Sequence, residues 1–263
     1  MNILDTIKQQ KIKEVAYRKN HAPIDILAQH PFFERKNISM KQSILDSSTG
    51  IIAEFKRKSP SKGLINEHSE PIYVMKGYEQ NGVAAISCLT DQEFFGANKR
   101  DFIESRTEIS IPMLRKEFII DSYQLYESKA MGADAILLIA KLLSKAEIDN
   151  LTKIAHSLQL EVFLETHNEQ EVKDHLETDA DLIGINNRNL ESFEVSIEQS
   201  MRLLELLPKH LVKIAESGLH SVKDVLQMKG LGFDGFLIGE YFMKAQNPTK
   251  QCKQFINELN YEN

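Results

Sequence analysis

The chain of 263 residues carries 42% hydrophobic and 27% charged residues, ordinary globular usage that excludes a protein too polar to build a core. A formal net charge of -6 and a pI near 5.8, with lysines dispersed among acids, exclude the basic footprint of a nucleic-acid binder. Two cysteines, Cys88 and Cys252, are too few for a disulfide framework or a zinc cluster and suit a reduced, cytoplasmic protein.

Residues 1–50 predict a helix near 3–19, a turn at His30-Pro31-Phe32-Phe33 and a short helix around 39–47. They stand outside the repeat that follows and are expected to form an N-terminal helical extension packed on one end of the main body. Ile3, Leu4, Ile7, Ile12, Val15, Phe32 and Phe33 need burial there. The N-terminus alternates apolar residues with Lys8, Lys11 and Lys13 and lacks the apolar h-region of a signal peptide. The longest apolar stretch, AILLIA before Lys141, is too short to span a bilayer, so neither export nor a membrane partner is expected.

From residue 51, short β-rich apolar runs alternate with segments of helical period. The runs are IIAEF (51–55), AAISCL (84–89), IPMLRK (111–116), AILLIA (135–140), EVFLE (161–165), LIGIN (182–186), VKIAES (212–217) and FLIG (236–239). Helices are predicted over 71–81, 98–107, 121–131, 144–157, 168–177, 196–206, 221–230 and 248–259, with Asp121, Ser144 and Ser221 as N-caps. NGVAAIS, MGADAIL, TDADLIG and LGFDGFL form a weak repeat that places a turn residue between each helix and the next strand. Eight such units predict an α/β fold, a (β/α)8 TIM barrel over 51–263 in a single domain with the extension. About twenty residues after the eighth run leave no room for a second fused domain, which predicts a monofunctional chain.

In a parallel barrel the active site lies at the carboxyl ends of the strands, and these ends are unusually polar. Glu54 and Lys56 end the first run on the face that Ile52 shares. Arg115 and Lys116 end the third, Glu165 the fifth, Asn186 the sixth with Arg188 after it, Glu216 and Ser217 the seventh, and Gly239 the eighth. One strand-end Lys or Glu is more often half of a structural ion pair. Several of them aimed at one mouth indicate an anionic substrate and proton transfer. The lysines would lower nearby carboxylate pKa values and desolvation would raise them, so the sequence leaves the protonation states open.

Gly218 and Gly239 follow the seventh and eighth runs, where backbone N–H groups commonly hold phosphate in this fold. The Ser59-Pro60-Ser61 loop either adds hydroxyl donors or is a plain turn. No HExxH, His/Cys cluster or EF-hand pattern suggests a metal, and neither GxGxxG after a strand nor GxxxxGK[ST] suggests a nucleotide cofactor.

IIAEFKRKSPSKG, SCLTDQEFFG, LRKEFIID, FLETHNEQE, IGINNRNL, IAESG and FLIGEYFM, in this order, make residues 51–245 closely resemble the indole-3-glycerol-phosphate synthase family of tryptophan biosynthesis. That family also carries a helical N-terminal extension. The resemblance implies ring closure, decarboxylation and dehydration of 1-(2-carboxyphenylamino)-1-deoxyribulose 5-phosphate without metal or organic cofactor. By the same resemblance, Lys116 is the general acid toward the ribulose carbonyl oxygen, and Lys56 engages the substrate carboxylate and donates a proton in the later dehydration. Glu54 and Glu165 serve proton removal and charge stabilisation. Asn186 and Arg188 orient the substrate. Ser59, Ser217, Gly218, Gly239 and Glu240 bind phosphate, the last through its backbone N–H, and Phe95, Phe118 and Leu137 hold the anthranilate ring.

The sequence departs from the family at Glu117 and Asn189, where the family more often has Asp, and no side-chain role is carried over there. The implied partner is a small phosphorylated substrate. Oligomeric state, with a monomer included, and partner enzymes stay open. Phosphoribosylanthranilate isomerase is a rival phosphate-binding barrel, disfavoured because its Cys/Asp acid–base pair has no counterpart: Cys88 lies inside a run. A catalytically silent scaffold is disfavoured by the joint presence of Lys56, Glu54, Lys116, Glu165 and Asn186.

Overall fold

Alternation of buried strands with amphipathic helices covers both faces of a parallel sheet either in an open sheet between two helix layers or by closing the sheet and ringing it with the helices. The computed structural model describes residues 3–60, 63–187, 197–208 and 211–262 and shows that closure. Eight parallel strands form a closed barrel: Ile51–Phe55, Ala85–Leu89, Met113–Lys116, Ala135–Ile139, Glu161–Thr166, Leu182–Asn186, Val212–Glu216 and Gly235–Ile238. The last pairs with the first through Ile52 opposite Leu237. The (β/α)8 expectation holds, and each strand begins and ends within two residues of its expected run.

Local chemistry explains the helix ends. Ser144 and Ser221 each accept from the backbone N–H three residues on, while Glu147 and Asp224 bond back to complete capping boxes. Gly132 and Gly232 end their helices in the left-handed region, at φ 84° and 109°, as the repeat implied. Asp121 is not the N-cap expected: the helix Tyr123–Met131 starts later, with Ser122 at the cap position. The Asp121 carboxylate instead accepts from Tyr123 N at 2.9 Å, satisfying the same end from one residue further back. The helix expected over 168–177 is shorter, Glu169–Asp174, because His175 N turns back to Val172 O and begins a tight turn.

The N-terminal helix Ile3–His21 buries Leu4, Ile7, Lys11 and Val15, a stripe of i, i+3 and i+4 spacing. Ile3 and Ile12, expected to be buried, are 38% and 47% exposed. Ile12 lies one residue off the stripe, and the inward place beside it is taken by a charged side chain, Lys11. Phe32 and Phe33 are half-buried. The helix Met40–Asp46 buries Met40 and Ile44 at the opposite end of the barrel, where Ser43 donates to Ala84 O just before the second strand. The extension therefore touches both ends of the barrel rather than one, and its apolar residues join the same buried cluster as the strands.

Strand alternation sorts the third strand to two sides. Arg115 is fully buried toward the helices, donating to Gln124 O and Ser128 Oγ at 3.0 Å each. Lys116, its neighbour, enters the mouth. No helix among the described residues is long and apolar enough to cross a membrane.

Candidate active site

One cavity at the carboxyl ends of the strands is lined by Glu54, Lys56, Lys116, Glu165 and Asn186. Ser59, Phe95, Phe118, Leu137, Ser217, Gly218, Gly239 and Glu240 line it as well. Arg188, and Ser61 of the first loop, lie outside the described residues. Barrel register brings the polar groups to one level: Glu54 sits opposite Ser87, Leu89 opposite Lys116, Ile139 opposite Glu165, and Asn186 opposite Glu216.

Lys116 is the centre of the charge array. Its Nζ lies 2.6 Å from Glu216 Oε2 and 3.1 Å from Glu165 Oε2. Asn186 Nδ2 donates to Glu165 Oε1 at 3.0 Å. Burial alone would lower the Lys116 pKa, but Glu216, Glu165 and Glu54 outweigh it and hold the ammonium above the ordinary lysine range. Burial would likewise raise Glu165, yet Lys116 and His167 hold its carboxyl well below the usual range. Glu216 goes the other way. Burial and the charge of Glu165 push it up to about 7 despite Lys116, and its Oε1 is buried without a hydrogen-bond partner among the described residues. Beside this trio, Lys56 Nζ donates to Glu54 Oε1 at 2.5 Å, the same-face pairing expected of residues two apart.

Two glycines make room for these carboxylates. A β-carbon on Gly239 would fall 2.5 Å from Glu54 Oε1, and one on Gly184 would collide with Glu216 Oε1 and the Phe163 ring. After the seventh strand, Ser217 and Gly218 both adopt positive φ, 65° and 76°. Serine is uncommon there; Asn187 Nδ2 fixes it by donating to Ser217 O at 2.8 Å. The Glu240 carboxylate lies 2.5 Å from Lys244 Nζ along its own helix.

The apolar wall is aromatic. Phe95 and Phe118 rings lie 5.9 Å apart at 41°, and Phe94 meets Phe118 edge-on at 6.2 Å. Asp91 Oδ1 accepts from Phe94 N at 2.6 Å and Phe95 N at 3.1 Å, which sets that loop.

Several groups escaped sequence reasoning. Glu216 was recognised only as a strand end, though it is Lys116's nearest carboxylate. Leu4 and Ile7 of the extension also line the cavity, which no local pattern reveals. His167 meets Glu165, with Nε2 3.0 Å from Oε1; the two-residue spacing in FLETHNEQE was the available signal. Cys88 is fully buried, and burial pushes its thiol above the ordinary range, so it offers no acid–base group to the mouth.

Fold and site together define a (β/α)8 barrel enzyme with an array of lysines and carboxylates at its mouth. The family model for indole-3-glycerol phosphate synthase matches residues 4–255, and the chain belongs to that family. It is 41% identical over 258 residues to the indole-3-glycerol phosphate synthase of Bacteroides thetaiotaomicron, covering 98% of this chain and 99% of the relative. It is 38% identical to that of Lachnoclostridium phytofermentans, covering 92% and 88%. Among solved structures, a thiamine phosphate pyrophosphorylase from Pyrococcus furiosus superposes with a TM-score of 0.60 at 15% identity, over 84% of this chain and 99% of that one; this likeness is one of fold alone.

Proposed function

We propose that the cavity carries out the family's reaction on 1-(2-carboxyphenylamino)-1-deoxyribulose 5-phosphate through the following division of labour. The carrying observation is a charged Lys116 held between two carboxylates beside an aromatic slot. The substrate is a benzoate at one end and a phosphate at the other, with a ketone between. The anthranilate ring sits against Phe95, Phe118 and Leu137, its carboxylate near Lys56, and the phosphate against the backbone of Ser217, Gly218, Gly239 and Glu240 with the Ser59 hydroxyl.

The ring carbon bearing the carboxylate attacks the ketone carbon while Lys116 gives its proton to the carbonyl oxygen, forming the carbon–carbon bond and an alcohol. Loss of carbon dioxide returns the bonding electrons to the ring. Expulsion of the new hydroxyl as water takes a proton from Lys56, and removal of a proton from the adjacent methylene by a glutamate completes the indole. Glu165 enters as a carboxylate and stabilises the cationic intermediates; Glu54 holds Lys56; Asn186 orients Glu165. Glu216, with a pKa near neutrality, is matched to exchanging a proton with Lys116. Arg188 is assigned to orienting the substrate on its sequence motif.

Residues 1–50 are read as an extension of the barrel domain of 51–263, supported by Leu4, Ile7, Met40 and Ile44 sharing the barrel's buried cluster. A reduced, cytoplasmic setting is supported by two buried free thiols, Cys88 and Cys252. A monomer acting on a small phosphorylated substrate is the simplest working state. The test is incubation with the carboxyphenylamino-deoxyribulose phosphate: indole fluorescence should appear with release of one carbon dioxide per substrate, and its absence would overturn the assignment.

A further inference from the structure

Glu165 is held by more than Lys116 and Asn186. His167 follows it by two residues, so both turn to the same side of the chain, and the imidazole is buried, 7% exposed. Its Nε2 lies 3.0 Å from Glu165 Oε1, and its Nδ1 lies 3.2 Å from Glu171 Oε2. The His167 backbone N–H donates to the same Glu171 oxygen at 2.8 Å. Glu171 is itself fixed at the start of the helix Glu169–Asp174, where Asn168 Nδ2 donates to its other oxygen at 2.6 Å.

A neutral imidazole has one donor nitrogen and one acceptor, and an ionised carboxylate only accepts. Glu171 meets Nδ1 in a hydrogen bond and Glu165 faces Nε2 at 3.0 Å as a charge contact, so the two flanking carboxylates together favour hydrogen on both nitrogens, which is the imidazolium. Burial opposes that charge, but Glu165 and Glu171 outweigh it and carry the pKa up to about 9.

We propose that His167 is the positioning residue for Glu165: as an imidazolium bridging Glu165 and Glu171, it orients the Glu165 carboxylate and keeps it anionic after Lys116 has given up its proton. This rests on the proposed reaction. When Lys116 becomes neutral, Glu165 and Glu216 lose the cation between them, and without a second positive charge the proton would pass to a carboxylate instead of staying on the substrate oxygen. Among the described residues, the ionisable groups near His167 include Glu165 at its own strand end, Glu171 from the following helix, Lys116 across Glu165 from the third strand, and Glu216 beyond Lys116 from the seventh.

The test is the pH dependence of kcat and KM for wild type, His167→Leu, His167→Gln and Glu171→Gln. In His167→Leu, kcat should fall about tenfold or more while KM stays within about threefold, because an interaction of the chemical step is removed rather than one of binding. The acid limb of its kcat profile should move to higher pH, since Glu165 loses a neighbouring cation. His167→Gln restores a neutral donor without the charge, so it should recover kcat on the alkaline side and keep the displaced acid limb. Should His167→Leu fail to fold, Glu171→Gln decides: it leaves the Glu165 contact in place, weakens the imidazolium, and should displace the acid limb in the same direction by less. Thermal destabilisation with an unchanged acid limb and kcat in these variants would overturn the inference. Absent turnover by the wild type would instead overturn the proposed reaction.

Discussion

Two lysines, each set among carboxylates, meet the end of the third strand and serve different ends. Lys11 of the N-terminal helix is 1% exposed and pairs with Asp91, with Glu117 at 3.1 Å and with Glu14 at 2.9 Å. Glu117 continues to Arg115, and Arg115 to Thr90, Gln124, Ser128 and Glu127. Among the described residues, Lys116 has two close carboxylates, Glu165 and Glu216, and its side chain retains 13% exposure toward the cavity. Each network leaves one buried carboxylate oxygen without a hydrogen-bond partner among the described residues, Asp91 Oδ2 and Glu216 Oε1, so what separates them is the exposure of the lysine side chain, 1% against 13%. A lysine shut away from the cavity holds elements together, whereas one that stays exposed to it can bind and exchange a proton. Alternation explains part of the difference: Lys116 points into the mouth and Arg115 turns to the helices, while Glu117, past the end of the strand, borders the cavity and also reaches Lys11.

The sharpest way to break that contrast is Lys11→Met. It leaves Asp91 and Glu117 buried without their shared cation, so unfolding in denaturant should show a loss of about 3–5 kcal/mol. A loss under about 1 kcal/mol, the range of an exposed pair, would remove the distinction.

Acid titration tests the same network. Burial would raise Glu117, but Lys11 and Arg115 hold it down to about 2. A depressed carboxylate contributes stability that is fully present above its unfolded value, near 4.5, and is lost as pH falls toward 2. The wild type should lose about 3 kcal/mol through this group across that window. Glu117→Gln should flatten that part of the stability curve, and identical acid profiles would contradict it.

On the cavity side, Lys116→Met should reduce kcat by about 10²-fold or more, roughly 3 kcal/mol of barrier, with an unchanged far-ultraviolet spectrum. Near-normal turnover would return Lys116 to a structural role. The smallest expected effect is at the phosphate end: Gly218, at φ 76°, changed to Val should raise KM about tenfold, about 1.4 kcal/mol, with a modest change in kcat. An unaltered KM would detach that turn from binding.

Much of this was legible in advance because the signals are local. The apolar run EVFLE needs only its own residues to declare a strand, and Glu54 and Lys56 declare a shared face by their spacing alone. Ser144 and Ser221 announce helix starts through a partner three residues away. Asp121 misled by one position because an aspartate can serve a helix end from more than one place. Ile12 misled because helical phase depends on the true inward stripe, and that stripe contains Lys11, a residue that hydrophobic patterning assigns to the surface.

The sequence alone determined the eight strand–helix units, the polar residues at the strand ends and their order around a barrel, since periods of two and 3.6 residues and turn chemistry are written in neighbouring side chains. Only the tertiary structure decided which charges share a cavity. Barrel closure brings Lys116 within hydrogen-bond reach of Glu216, 100 residues later, and lets the extension's Lys11 reach Glu117. It also set the protonation pattern, a lowered Glu165 beside a raised Glu216. Burial and charge neighbours fix a pKa, and both are properties of the folded surroundings rather than of the residue.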